Sequence, residues 1–180
     1  MRIPQVPAPS LQYVRDVVAK EPLALAQIRH RIAAYKDFEI QIGPEEGRLL
    51  QLLIRLGGYR TIVEIGTHAG YSTMFMAQAL PQTARIYTLE KDPKRIQMAR
   101  ETFASCPHEC EVTLMEGDAL ESLKTCPPNV DMVFIDADKL NYSKYLDWCE
   151  IHVRVGGLIV GDNTFLHVSC CPRARDGQWE

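Results

Sequence analysis

The sequence predicts a mainly parallel, doubly wound α/β sheet behind a set of N-terminal helices, and three observations carry that expectation. From about residue 59 onward, short apolar runs alternate with stretches of helical periodicity, the pattern of strand–helix–strand units. Two of the runs, MVFID ending at Asp136 and LIVGD ending at Asp162, are continuous rather than alternating, as strands covered on both faces are. Each leads straight into oxygen-bearing side chains, and sheets of this kind place ligand sites at the carboxyl ends of their strands.

The elements follow in order. Leu11, Val14, Val17 and Val18 mark a first amphipathic helix that stops near Pro22, and Leu25, Ile28 and Ile32 line a second. A third starts at Gly43-Pro44-Glu45-Glu46, where proline suits the first turn and the acidic pair complements the helix dipole. Its apolar positions, Leu49, Leu50, Leu53, Ile54 and Leu56, run to a stop at Gly57-Gly58. Strands are expected near 61–65, 85–90, 111–115, 130–135 and 157–161, with helices near 71–80, 93–104, 119–124 and 141–153. Asp92-Pro93 reads as an N-cap followed by a first-turn proline.

The 180 residues, 46% hydrophobic and 24% charged, suffice for one soluble domain with its own core. It divides into helices over 1–58, an α/β core over 59–166 and an irregular tail over 167–180. A formal net charge of -3 gives no electrostatic case for nucleic acid or an anionic membrane surface. No apolar run approaches the roughly 20 residues that span a bilayer. The opening MRIPQVPAPS lacks the apolar stretch of a secretory signal, and Pro4, Pro7 and Pro9 suggest an extended arm. Six cysteines include Cys106, Cys110 and Cys126 near His108, but no paired knuckle, so free thiols in the cytoplasm are expected rather than zinc. Cys170 and Cys171 are adjacent and poorly placed to bridge one another.

The segment VEIGTHAGYS joins the first strand to its helix, and its glycines permit a tight turn with helix N–H groups facing a ligand. Its spacing is not the G-x-G-x-x-G of dinucleotide binders, which counts against a nicotinamide-dependent oxidoreductase. Glu64 there is an odd strand residue unless a ligand wants an anion, or else it is a solvated turn residue. Glu90, ending IYTLE, suits ribose hydroxyls or is simply a strand-end carboxylate in water. Asp118 either meets an adenine amino group or caps the next helix. Asp136, Asp162 and Asn163 offer two carboxylates and an amide oxygen, a set for a hard divalent cation, against an ordinary turn for the last two. Lys139 is a candidate proton acceptor or a solvated helix-start lysine, and Asp138 a substrate contact or a helix start. His68, His167 and Trp148 read as packing or surface residues.

VEIGTHAGYS, IYTLEKD, EGDAL, FIDADKLNY and GGLIVGDNTF, in that order between about Gln41 and Leu166, resemble class I S-adenosylmethionine-dependent methyltransferases. More closely, they resemble the small bacterial type of the cation-dependent catechol and caffeoyl-CoA O-methyltransferases. The resemblance implies a Rossmann-like fold in which Ile42 contacts the methionine end of the cofactor through its backbone. Glu64, Gly66, Thr67 and Ser72 would hold the amino-acid portion, Glu90 the ribose, and Asp118 and Ala119 the adenine. Asp136, Asp162 and Asn163 would bind Mg2+, or another divalent cation such as Mn2+ or Ca2+. Lys139 would stand beside the reacting oxygen. The implied reaction is methyl transfer to a hydroxyl of a catechol-like small molecule, with a homodimer as the expected assembly and the N-terminal helices as cofactor cover or dimer contact.

The family's chain normally adds a further helix and an antiparallel strand pair, giving seven strands. Here VSCCPRARDGQWE follows His167 without strand or helix periodicity, so a truncated or frame-shifted tail lacking the last two strands is expected. The 157–161 strand would then be a hydrophobic sheet edge. A relative that binds S-adenosylmethionine but hardly turns over is the alternative this ending raises.

Overall fold

The computed structural model describes residues 7–33 and 41–162. Three helices, α1 (Ala8–Val17), α2 (Leu23–Ile32) and α3 (Pro44–Gly57), precede five strands: β1 (Thr61–Ile65), β2 (Arg85–Glu90), β3 (Glu111–Glu116), β4 (Val130–Ile135) and β5 (Val153–Gly161). Between them lie α4 (Tyr71–Ala77), α5 (Pro93–Ser105), the short α6 (Ala119–Ser122) and α7 (Tyr142–His152), the last entered through a 3-10 turn at Lys139–Asn141. All neighbouring strands are parallel, in the order β3-β2-β1-β4-β5. The doubly wound sheet expected from the sequence is the one observed.

Alternation along the central strands divides the core into two layers. Ile62, Ile86, Met132 and Phe134 face a layer with Leu25, Ile32, Leu50, Ile54 and Phe75 of α2, α3 and α4. Val63, Ile65, Leu89, Val133 and Ile135 face the other, with Leu123, Tyr145 and Cys149. Successive strand residues point to opposite faces, so strands this apolar on both faces must be interior ones. At the end of the sheet where β1 begins, Asp131 accepts the Arg60 and Thr61 N–H groups, both at 2.8 Å, and Arg154 Nε at 2.6 Å.

Four sequence expectations need correcting. Pro9 belongs to the first turn of α1, where its missing N–H costs nothing, rather than to an extended arm. The apolar stripe of α1 is not buried: Val14, Val17 and Val18 are exposed, as are Leu49 and Leu56 of α3. The first β1–α4 connection yields only seven helical residues, with Ala79 and Leu80 turning back through bonds to Met76 and Ala77 carbonyls. β5 begins at Val153, not 157, because its pairing with β4 shifts register between Val130 and Met132. Gly156, at φ +80°, makes that bulge, and a Cβ on Gly157 would lie 2.8 Å from the Asp131 carbonyl. β5 is a sheet edge among the described residues, with Val155 fully exposed. Asn163, His167, Cys170, Cys171 and the tail over 167–180 lie outside the described residues.

Candidate active site

The carboxyl ends of all five strands open on one cleft of about 700 Å³. Its position follows from topology: β1 and β4 are neighbours, but the chain leaves them toward opposite faces, which opens a crevice between the departing loops. Ile42, Gly66, Glu90, Asp118, Ala119, Asp136, Lys139 and Asp162 all line it. Glu64, Thr67 and Ser72 are buried behind that wall.

The loop after β1 is fixed by its backbone. Gly66 and Thr67 N–H groups both donate to the Leu89 carbonyl, at 3.1 and 3.0 Å. Gly66 adopts φ +104°, and a Cβ there would sit 2.0 Å from the Asp136 carbonyl oxygen, so the loop passes directly against the end of β4. His68 continues the turn with φ 51° and donates its N–H to Glu90 Oε2 at 2.8 Å. The other Glu90 oxygen accepts from Lys91 and Asp92 N–H at 2.9 and 3.0 Å. Glu90 is thus a nearly buried carboxylate held by three backbone donors, not a strand end in bulk water.

Glu64 lies deeper still. It accepts hydroxyls from Ser72 at 2.5 Å, Thr88 at 2.6 Å and Thr73. With the Thr88 hydrogen committed to Glu64, Thr67 donates to Thr88 across 2.6 Å. Burial pushes the Glu64 carboxyl up to about 7, against the three hydroxyls that pull it down. The folded chain therefore keeps a proton that the unfolded chain releases near its ordinary 4.5. Stability from this group is fully present below that value and is lost as pH rises to about 7. Glu64→Gln should flatten this decline, which amounts to on the order of 3 kcal/mol. Urea denaturation of both proteins at a series of pH values checks it, and parallel curves would count against the assignment.

At the far end, Asp136 follows β4 and donates its N–H to the Ile65 carbonyl at 2.9 Å. Burial pushes its carboxyl up to about 6, the Asp162 and Glu46 charges push the same way, and Lys139 opposes them. Two carboxylates close enough in a half-sheltered cleft for Asp162 to raise Asp136 are a donor set that fits a hard divalent cation. Among the described residues no group of three His, Cys, Asp or Glu side chains stands in metal-holding arrangement. Asn163, the third expected ligand, lies outside the described residues. Glu46, on the first turn of α3, accepts the Gly43 N–H at 2.6 Å and lines the same cleft. Its carboxyl is raised by burial and then by Asp162.

Lys139 Nζ donates to the Tyr142 hydroxyl at 3.0 Å and to the Asp162 carbonyl at 2.9 Å, with the Tyr142 ring centroid 4.5 Å away. The Tyr142 hydroxyl lies 2.8 Å from the Ile135 carbonyl and 2.6 Å from that of Asp162. Asp138 starts the 3-10 turn by accepting the Asn141 N–H and takes the Tyr145 hydroxyl at 2.8 Å. Asp118 caps α6 through the Leu120 N–H at 2.9 Å, as one of its two readings expects, and also lines the cleft.

The sequence profile of the family described as O-methyltransferase matches residues 15–176. The chain belongs to that family. It is 37% identical over 155 residues to the catechol O-methyltransferase of Niastella koreensis, spanning 84% of this chain and 70% of that protein. Identity to the catechol O-methyltransferase of Mycobacterium tuberculosis is 36% over 125 residues, which is 69% of this chain and 57% of that one. An O-methyltransferase structure from Bacillus cereus in complex with SAH superposes with a TM-score of 0.79 at 36% identity, covering 84% of this chain and 71% of that one. Membership places the chain among S-adenosylmethionine-dependent class I O-methyltransferases, whose parallel sheet it shares.

Within this O-methyltransferase, sequence reasoning passed over three residues on or beside the cleft. His68 was expected to be packing or surface and instead lines the cleft. Glu46 was visible only as a helix-start acid. Tyr142 follows Lys139 by one helical turn, a spacing that could have marked it. Trp148 is a packing residue as expected: its Nε1 donates to the Leu123 carbonyl at 3.0 Å and its ring stacks on His152. Cys106, Cys110, Cys126 and Cys149 are free and buried. No helix among the described residues is long and apolar enough to cross a membrane.

Proposed function

We propose that this chain transfers the methyl group of S-adenosylmethionine to one hydroxyl of a catechol-like aromatic, with a divalent cation, Mg2+ for choice, at Asp136, Asp162 and Asn163. The observation that carries the proposal is the layout of one cleft, with Glu90 and Asp118 toward one end and Asp136, Asp162 and Lys139 toward the other. When bound, S-adenosylmethionine supplies an electrophilic methyl group, and a cation both orients vicinal hydroxyls and lowers their pKa. The relatives named catechol O-methyltransferase support this acceptor class.

The residues divide the work. Glu90, its oxygens aimed by His68, Lys91 and Asp92, accepts from ribose hydroxyls, and Asp118 and Ala119 border the base. The Ile42 backbone and Gly66 flank the methionine portion. Glu64, Thr67 and Ser72 shape that loop from behind through their hydroxyl network. Lys139 takes the proton of the acceptor hydroxyl. With S-adenosylmethionine held by these residues, its methyl group would pass from sulfur to the acceptor oxygen, the cofactor leaving as a neutral thioether. Displacement of this kind depends on alignment, so a rigid cleft supplies much of the acceleration.

Methyl transfer to catechol, assayed with Mg2+ and again with excess chelator, tests the reading. The expected result is product that disappears with chelator and returns with added Mg2+. Product that survives chelation would remove the cation from the mechanism. Cofactor binding without product would support the binding-only relative instead.

The assembly inferred is a homodimer. Tyr13 and Val17 of α1, Val18 just after it, and Leu49, Leu52 and Leu56 of α3 are exposed, an apolar surface that a second copy would cover. Light scattering giving the mass of one chain at micromolar concentration defeats that inference. Four buried free thiols support a reducing compartment, read here as the cytoplasm, which cell fractionation checks directly.

A further inference from the structure

A second cavity, of about 680 Å³, is walled by α1, the segment that follows it, α2 and the start of α3. It shares Gln41, Ile42 and Glu46 with the cleft, so those residues form the boundary between the two spaces. Glu46 feels the charge of Asp162, and Asp136 feels that of Glu46, which puts the boundary at the carboxylate end of the cleft. A ring held by two adjacent hydroxyls at that end carries its substituent away from the cation, and space continues there into the second cavity.

The charges inside the second cavity are largely matched. Arg15 donates to both Glu45 oxygens, at 2.8 and 2.9 Å. Glu21 takes Arg29 at 2.8 Å together with the Tyr71 hydroxyl, and Asp16 and Lys20 add one charge of each sign. Glu46 is the exception. It accepts one hydrogen bond, from the Gly43 N–H at 2.6 Å, and makes no ion pair among the described residues. At the same boundary the Gln41 amide oxygen is buried without a hydrogen-bond partner among the described residues.

We propose that the second cavity receives the ring substituent of the methyl acceptor, and that Glu46 at its entrance selects a positively charged one, an ammonium above all. This rests on the proposed O-methyl transfer. A divalent cation would match Asp136 and Asp162, which leaves Glu46 as the acidic group that the substituent passes. An ammonium brings three donors to a boundary where a carboxylate and an amide oxygen each lack one. A carboxylate on the substituent would meet like charge and bring no donor, and selection of this kind works by repulsion as much as by attraction.

Three catechols of matched reach, bearing an aminoethyl, a hydroxyethyl or a carboxymethyl chain, test this with S-adenosylmethionine and Mg2+. Wild-type kcat/KM for the aminoethyl compound should exceed that for the carboxymethyl compound by about tenfold or more, with the hydroxyethyl compound between them. The difference should sit in KM, because the substituent takes no part in bond making. Glu46→Gln keeps an oxygen for the Gly43 N–H and removes the charge, so the ratio should fall to within about threefold, and Glu46→Lys should reverse it. A general disturbance of α3 cancels in that ratio. Raising salt from about 0.02 M to about 0.5 M should shrink the wild-type ratio and hardly move that of Glu46→Gln. An aminohexyl chain should be accepted within about threefold of the aminoethyl one, since the cavity has room for it.

A wild-type ratio near one or in favour of the carboxymethyl compound, or a ratio unchanged in Glu46→Gln, overturns the role of Glu46. Rejection of the aminohexyl chain overturns that of the cavity. Calorimetry of the same catechols against the chain holding Mg2+ and S-adenosylhomocysteine should give the same order of affinity, and a chain that binds none of them overturns the proposal. Binding in the expected order without methylation defeats the functional reading alone.

Discussion

Gly66→Ala should lower the thermal midpoint by about 10 °C, because two costs of different origin fall on one residue. The backbone at φ +104° lies where side chains are disfavoured, and the added methyl would sit 2.0 Å from the Asp136 carbonyl oxygen. Neither atom yields easily: the carbonyl ends a central strand, and the loop is pinned by two bonds to Leu89. Conformational strain and overpacking together come to about 3 kcal/mol or more. Gly117→Ala separates the two terms. Gly117 has φ +119° but nothing within 4 Å of its missing Cβ, so alanine there should show the strain alone. Differential scanning calorimetry of both variants provides the comparison, and equal losses would show that the contact with Asp136 carries no cost.

Asp136→Asn should act on chemistry without harming the fold. Removing one carboxylate of the proposed cation pair should reduce methyl transfer by about 100-fold or more, since even outer partners of a metal ligand are worth 10–100-fold. In the absence of cation the same change relieves repulsion: Asp162 and Glu46 both disfavour a charged Asp136. The unliganded variant should therefore melt no lower than the wild type at neutral pH. Added Mg2+ should raise the wild-type midpoint and leave the variant's nearly unmoved. A variant that loses activity and melts earlier in chelator would indicate that Asp136 serves structure, and full activity would remove it from the site.

These two residues also mark how far the sequence could be read. The strands near Ile62, Ile86 and Val133 were legible because an apolar run bounded by turn residues has few other solutions, and their carboxyl ends located the cleft. Asp92 was legible as a cap because cap and donors are local in sequence. β5 was read four residues short because Gly156-Gly157 looks like a stop, whereas here it is a bulge inside a strand. Glu64 was marked as unusual, but its partners were not apparent. Thr88 reaches it from a different strand, and no local pattern announces a hydroxyl 24 residues away. Tyr142 escaped for a related reason. Its partners include two backbone carbonyls, and a carbonyl has no signature in a sequence.

The strand order β3-β2-β1-β4-β5 sets the order in which the site comes into being. As the chain is made, β2 can pair with β1 and β3 with β2, and they bring Gly66, Glu90 and Asp118 into one row. That half holds the residues proposed for the nucleoside and none of Asp136, Lys139 or Asp162. Asp136 arrives only when β4 returns across the sheet to the other side of β1, a distant closure of the kind that slows folding, and Asp162 only when β5 adds to β4. A nascent chain ending near Ala119 would carry Gly66, Glu90 and Asp118 and none of the residues proposed to hold the cation or take the proton. Docking of two late strands, β4 and then β5, completes the site.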